Sequence, residues 1–265
     1  MQEQTPPSPF AVILEKSLEV PLEVLAQVLA KFNHEPLQDA TRKANHAWGI
    51  IAENLNEIEC NTLIDLLHQT NLKGIKIPQE KLPIFPPAFT FLHLSFLDSG
   101  IKGINDQGTE FSFQWDEINI ISAAALKTSH EKKMTLKEGP SNTQKMLSMG
   151  IMMATGLPIS IGGKTKKTEK TISQNETSFL LEVILKAPLR RLHIWADRLN
   201  YSFLKEKMVY DQLGNFKLFI KEVISKNQQA KTNKGIKILL ANQPITTMGY
   251  ESLTDLEQEG RWLNY

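Results

Sequence analysis

A single cysteine, Cys60, stands in 265 residues. One thiol makes neither an internal disulfide nor a thiolate zinc site, which fits a reducing compartment. His34, His46 and His68 are spaced too irregularly for a His-Glu-x-x-His metal helix. No predominantly apolar run reaches the roughly 18 residues of a spanning helix. The uncharged stretch Met146–Gly163 has the length, but four glycines and Pro158 interrupt it. The opening MQEQTPPSPF lacks a basic region followed by an apolar one, so no secretory leader is expected. Strong charge of one sign is missing too. Thirty Lys/Arg against 29 Asp/Glu leave +1, which gives no global field for nucleic acid or membrane. A glycine-rich dinucleotide fingerprint is absent, as are the paired aromatic motifs of RNA-binding sheets. The expectation is a cytoplasmic chain with no cofactor and no metal.

The charge that is present is unevenly placed. Residues 1–88 hold seven Lys/Arg against eleven Asp/Glu, and residues 127–170 hold nine against three. The basic excess surrounds MLSMGIMMATGLPISIGGKTKKTEK, residues 146–170. Its Gly-Gly-Lys-Thr suggests a phosphate loop, but the glycine needed five residues before Gly163 is Pro158, which has no N–H to offer. Nucleotide binding is therefore not expected. Two readings remain. The stretch is a pair of short apolar strands followed by a solvated loop at 164–177, or it touches anionic lipid through Met152, Met153, Lys164, Lys166, Lys167 and Lys170.

Residues 1–9 are polar and proline-rich and read as a disordered tail. FAVILEK suits a strand. Leu22, Leu25, Val28, Leu29 and Phe32 recur at helical spacing behind Pro21. EPLQDATRKANHAWG reads as a second helix, GIIAENL as a strand, and Asn56 with Glu59 as a capping box opening a third helix. Gly74 ends that helix and IKI makes a last strand. This β-α-α-β-α-β order fits an α+β domain over residues 10–80 with helices on one face of a small sheet. The segment HEPLQDATRKANHAWGIIAENLNEIECNTLIDLLHQTNLKGIKI resembles the C-terminal domain of the ribosomal stalk protein, with Leu37 and Ala40 matching that family's Leu-x-x-Ala. The resemblance, over residues 10–78, implies the fold. The glycine- and lysine-rich surface with which that family recruits translation factors is replaced here by FNHEPLQDA.

The proline-rich residues 81–88 read as a linker, and from Phe89 the period changes to two. FTFLHLSFLDSG, IKGINDQGTEFSFQ with its turn-like Asn-Asp-Gln-Gly before Thr109, WDEINIISAAAL, SFLLEVILK, LRRLHIWADRLNY and SFLKEKMV read as strands joined by short turns. In NFKLFIKEVISK, Phe216, Phe219, Ile220, Val223 and Ile224 make one helical face. Strands followed by one helix resemble a pleckstrin-homology-like domain, a mostly antiparallel barrel plugged by its helix. The resemblance covers residues 89–226 of a domain placed at 89–265. That superfold carries headgroup binding, peptide binding and scaffolding, so the fold alone does not decide function. The chain closes on a helix capped by Ser252, with Asp255 completing a capping box. Its Trp262 either docks on the chain itself or meets a partner.

His193, Trp195 and Asp197 alternate along LRRLHIWAD and so share one strand face, where His193 and Asp197 could orient an imidazole. No nucleophile is placed beside them, and Glu15, Glu57 and Glu257 fall on different elements. The reading is a non-enzymatic protein–protein binding or scaffold protein whose partner the sequence does not name. Peripheral attachment to anionic lipid through residues 146–170 is the alternative, and an enzyme built on His193 and Asp197 comes last. Replacing Ile159 by Asp separates the first two. If the stretch is a buried hairpin, an unpaired charge enters a core and the thermal midpoint falls by several degrees or more. A midpoint that stays while liposome binding disappears would instead place the stretch in lipid.

Overall fold

The computed structural model describes residues 9–15, 20–137 and 167–265, with 128–137 and 167–175 described by their backbone. Expectations for 138–166, including those for Met152, Met153, Lys164 and Lys166, lie outside the described residues. The chain is α+β with two sheets. It forms two compact units, one of Met1–Leu126 with Ser178–Tyr265, the other of Lys127–Thr177.

Strand β1 (Phe10–Leu14) is the centre of a three-stranded sheet, with β2 (Ile50–Leu55) and β3 (Gly74–Pro78) antiparallel on either side. Alternation along β1 sends Val12 and Leu14 to one face and Ala11 and Ile13 to the other. Helices α1 (Leu22–Asn33), α2 (Leu37–Asn45) and α3 (Glu57–Gln69) supply Leu25, Leu29, Ala40, Leu63 and Leu67 to the Val12 face. Asn56 caps α3, with Glu59 answering in a reciprocal box. Gly74 does not end this helix. Thr70 is the cap, Asn71 takes a positive φ, and Gly74 already begins β3, where it leaves room for Leu67.

The second sheet has seven strands. β4 (Phe89–Phe96), β5 (Gly100–Asn105) and β6 (Glu110–Gln114) form a meander. β7 (Ile118–Lys137), β8 (Lys167–Lys186) and β9 (Leu189–Trp195) follow, with β10 (Lys231–Thr232) on the far edge. The order is β10-β7-β8-β9-β4-β5-β6. This is an open sheet, not a closed barrel, because β4 joins β9 in parallel and the end strands β10 and β6 do not pair. In β4 a register shift between Phe91 and His93 breaks the simple alternation, so that Phe91 and Leu94 are both buried. The expected loop at 164–177 is strand from Lys167 onward. Backbone pairing with the neighbouring long strand requires no apolar face, and Thr168, Thr171 and Ile172 suit an extended chain.

Helix α4 (Gln212–Lys226) covers one face of this sheet. Its Phe216, Phe219, Ile220 and Val223 are fully buried, each worth roughly 1.5–3 kcal/mol against exposure. A short helix α5 (Lys234–Leu240) follows, capped by Asn233. Helix α6 (Leu253–Asn264) lies on the other face. There a Cβ on Gly260 would lie 3.1 Å from the Phe85 ring and 3.3 Å from Ile184, a tight fit that the bare glycine relieves.

Helix α6 also reaches the three-stranded sheet. Trp262 Nε1 donates to Leu14 O at 2.9 Å, and its ring fills the space in which a Cβ on Gly49 would lie 2.5 Å from Cγ. Arg261 donates to both oxygens of Glu53 and to Pro83 O. His46 Nδ1 lies 2.6 Å from Asp255, and Trp48 stacks on Tyr250 at 4.4 Å. Leu82 and Phe85 of the proline-rich segment are buried beneath these contacts. Replacing Trp262 by Ala is expected to cost about 3 kcal/mol, with both sheets losing structure in one thermal transition. Two separate transitions in wild-type protein would show instead that residues 10–80 and 89–265 fold independently.

Candidate functional site

After β9 the chain does not run on as a strand. A turn closes at once, with the N–H groups of Arg198 and Leu199 both reaching Trp195 O. Asn200 Oδ1 accepts from Ser202 N, and Ser202–Lys207 coils as two short 3₁₀ turns. The expected strand SFLKEKMV is therefore a kinked loop. At the kink Lys205 adopts φ 50° and ψ −124°, a region that glycine normally fills. A lysine held there stores about 1–3 kcal/mol and persists only where the surroundings impose it.

Beyond the kink come Met208, Val209 and Tyr210, which are 55 %, 45 % and 108 % exposed. Three consecutive exposed side chains of this kind run against ordinary surface patterning. Their backbone is nonetheless fixed. Asn215, buried in the first turns of α4, accepts from Val209 N–H at 2.8 Å and donates to Val209 O at 2.7 Å. Asp211 caps α4 by accepting from Gly214 N at 2.6 Å. Beside the loop lies a groove of about 610 Å³ between β4, the 3₁₀ turns and α4. Phe203 and Phe96 line it 5.1 Å apart, and behind them Phe203 meets the buried Phe219 at 5.5 Å. Its rim alternates in sign through Lys205, Glu206, Lys207 and Glu222, with Lys207 bonded to Glu222 at 3.1 Å.

The charged residues singled out in sequence lie elsewhere. His193 does not pair with Asp197. Strand β9 ends at Trp195, so Asp197 falls in an exposed turn. His193 Nε2 instead lies 2.9 Å from Glu182 Oε1, its register partner on β8. Arg191 Nε donates to the same oxygen, and Arg191 Nη1 donates to Glu257 of α6 at 2.7 Å. Glu182 is fully buried, and its Oε2 has no hydrogen-bond partner among the described residues. The facing carboxylates hold Arg191 above the ordinary guanidinium range despite its burial. This cluster ties α6 to the sheet. Trp262, the candidate partner contact, is packed against the small sheet as described. Lys167 and Lys170 belong to β8, and their side chains lie outside the described residues. Cys60 is buried in the α3 core, and burial pushes its thiol up, away from nucleophilic use. Among the described residues no group of three His, Cys, Asp or Glu is placed to hold a metal ion. No helix among them is long and apolar enough to cross a membrane.

No protein-family model, no curated protein and no solved structure matches the chain.

A second buried carboxylate, Glu259, accepts from Tyr250 OH, from Lys234 N–H at 3.2 Å and from Asn233 Nδ2 at 3.3 Å. Burial outweighs these donors and raises its carboxyl above the usual range. Folded protein then keeps a proton that the unfolded chain has released. The linkage makes stability fall as pH rises from the ordinary glutamate value of 4.5 toward the raised one. Glu53 works in the opposite sense, because its bonds from Arg261 lower it, and its contribution is lost as pH falls. Glu259→Gln is expected to remove the first slope and retain the second in thermal midpoints measured across the acid range. A profile that Glu259→Gln leaves unchanged would mean that Glu259 titrates normally in the folded protein.

Proposed function

We propose that the chain is a non-enzymatic protein-binding or scaffold protein, and that Met208–Tyr210 with the adjoining groove is its contact surface. The observation that carries this reading is an exposed apolar tripeptide whose backbone is locked by a buried asparagine. Methionine and tyrosine are among the side chains enriched at protein interfaces. A loop already held in place loses little further entropy on binding, so more of the contact energy appears as affinity. The strained Lys205 supports the same reading, since stored strain gathers where geometry serves a contact. The pleckstrin-homology-like reading of residues 89–226 agrees with a scaffold role through its sheet covered by one amphipathic helix. The stalk-like reading of residues 10–78 is retained for the small α+β segment. A cytoplasmic location is proposed from the single, buried thiol.

The test uses a photo-crosslinker at position 210 in native lysate, beside the triple variant Met208→Ser, Val209→Ser, Tyr210→Ser. The expected result is one dominant adduct in the parent and none when the crosslinker sits in a Met208→Ser, Val209→Ser background. The triple variant should keep its stability within about 0.5 kcal/mol, as for surface substitutions generally. Diffuse labelling that the variants do not change would overturn the assignment. Salt-sensitive binding to anionic liposomes, lost when Lys164, Lys166, Lys167 and Lys170 become Gln, would replace it with the membrane reading.

A further inference from the structure

We infer that the outer edge of the seven-stranded sheet is a self-complementary interface, through which β6 pairs with β6 of a second copy of this chain. The observation is the strand itself. Glu-Phe-Ser-Phe-Gln, residues 110–114, reads nearly the same in both directions from Ser112.

One side of β6 is satisfied by β5 in an unbroken antiparallel register from Gly100↔Gln114 to Ile104↔Glu110. It is the last strand of its sheet, with no strand on its other side among the described residues. At the two ends of this pairing Asn105 N–H donates to Thr109 O and Trp115 N–H donates to Ser99 O. In an antiparallel ladder the bonded residues alternate. Residues 111 and 113 therefore bond inward, and the backbone groups of 110, 112 and 114 point outward, where the Gln114 N–H already donates to Glu117 and the others face the open edge. Glu110, Ser112 and Gln114 are exposed. Natural edge strands are usually blunted by proline, lysine, a bulge or a covering segment. Within 110–114 the sequence holds neither Pro nor Lys, and the register carries no shift.

A two-fold axis through Ser112 uses each of these properties. Ser112 meets its own copy as a hydrogen-bonded pair, and Glu110 meets Gln114 on both sides of the axis. Acid therefore faces amide, and no like charges oppose each other. Lys102 already bridges Glu110 at 2.9 Å within the chain and offsets its charge. On the opposite face Phe111 meets Phe113 twice, at the closer, non-bonded spacing where aromatic pairs interact best. Phe111 is only part-buried in the monomer, where Arg190 lies over its ring at 4.6 Å. A slip of one residue would send every side chain to the wrong face, so the palindrome defines the register as well as the partner. Such an interface is isologous and closed, giving a dimer rather than a filament. A five-residue strand buries less than a standard interface, so association in roughly the micromolar range is expected.

The test is the mass of the full chain by sedimentation across a hundredfold concentration range, with three substitutions at Ser112. Wild-type protein is expected to pass from monomer to dimer. Ser112→Pro removes an outward N–H and no bond to β5. Ser112→Lys sets two ammonium groups across the axis. Both are expected to stay monomeric with the thermal midpoint kept, and if proline lowers that midpoint the lysine variant decides. Ser112→Cys is expected to give a covalent dimer on oxidation, since bonded antiparallel pairs lie about 5.5 Å apart at Cα, within disulfide reach. Cys60 is buried and does not compete. Wild-type protein that remains monomeric throughout, or a dimer that survives both Ser112→Pro and Ser112→Lys, overturns the inference.

Discussion

The side chain of Asn233 joins a strand of the large sheet, helix α5 and the seat of α6. Its Oδ1 accepts from Ala123 N–H and from Ile236 N–H, both at 2.9 Å. Its Nδ2 reaches Ala123 O at 3.0 Å, Tyr250 OH at 2.8 Å and Glu259. One amide thus pairs with a strand peptide, starts α5 and anchors the two residues that seat α6. All of this is buried, where an unmade bond costs the full desolvation of the group left behind. Neither aspartate nor leucine could serve. The first lacks the donors, and the second would orphan both Ala123 groups. Gly235 follows because Ala123 O occupies the space that a side chain there would need.

Asn215 and Asn227 repeat the device. Asn215 brackets the Val209 peptide. Asn227 donates to Trp115 O and Ile118 O and accepts from Gln229 and Ala230. Each asparagine offers donor and acceptor side by side, as a peptide does, and so extends pairing where the chain turns away from its strand. The loop at 208–210 is held in this way. Its backbone needs no packing of its own side chains, which are free to face outward.

Local signals were legible in the sequence, and distant ones were not. The capping boxes at Asn56 and Ser252, the apolar stripe of α4 and the hairpin turn before Thr109 depend on neighbours within a few residues, and the sequence places them correctly. SFLKEKMV misleads because its alternation imitates a strand. The clue was a few residues on: asparagine inside the first turns of a helix is a poor helix former and usually serves another bond. His193 with Asp197 was a local guess at a long-range fact. Glu182, eleven residues earlier, and Glu257, from another element, are the carboxylates of that cluster, and no spacing rule joins them to Arg191. The Phe91–His93 register shift escapes for the same reason, since a bulge is defined by the partner strand.

The clamp between Arg261 and Glu53 spans 208 positions of the chain, and the bond from Trp262 to Leu14 spans 248. Closure entropy grows only with the logarithm of loop length, so such distance takes little from equilibrium stability. It weighs far more on speed, because contacts distant in sequence must be found before they reward the chain. Until α6 arrives, Ala11, Ile13 and Ile50 leave one face of the small sheet wet. The same ordering works in reverse once the helix is seated. Interactions formed after the folding barrier slow unfolding most, so a helix that docked last would act chiefly on how fast the chain comes apart.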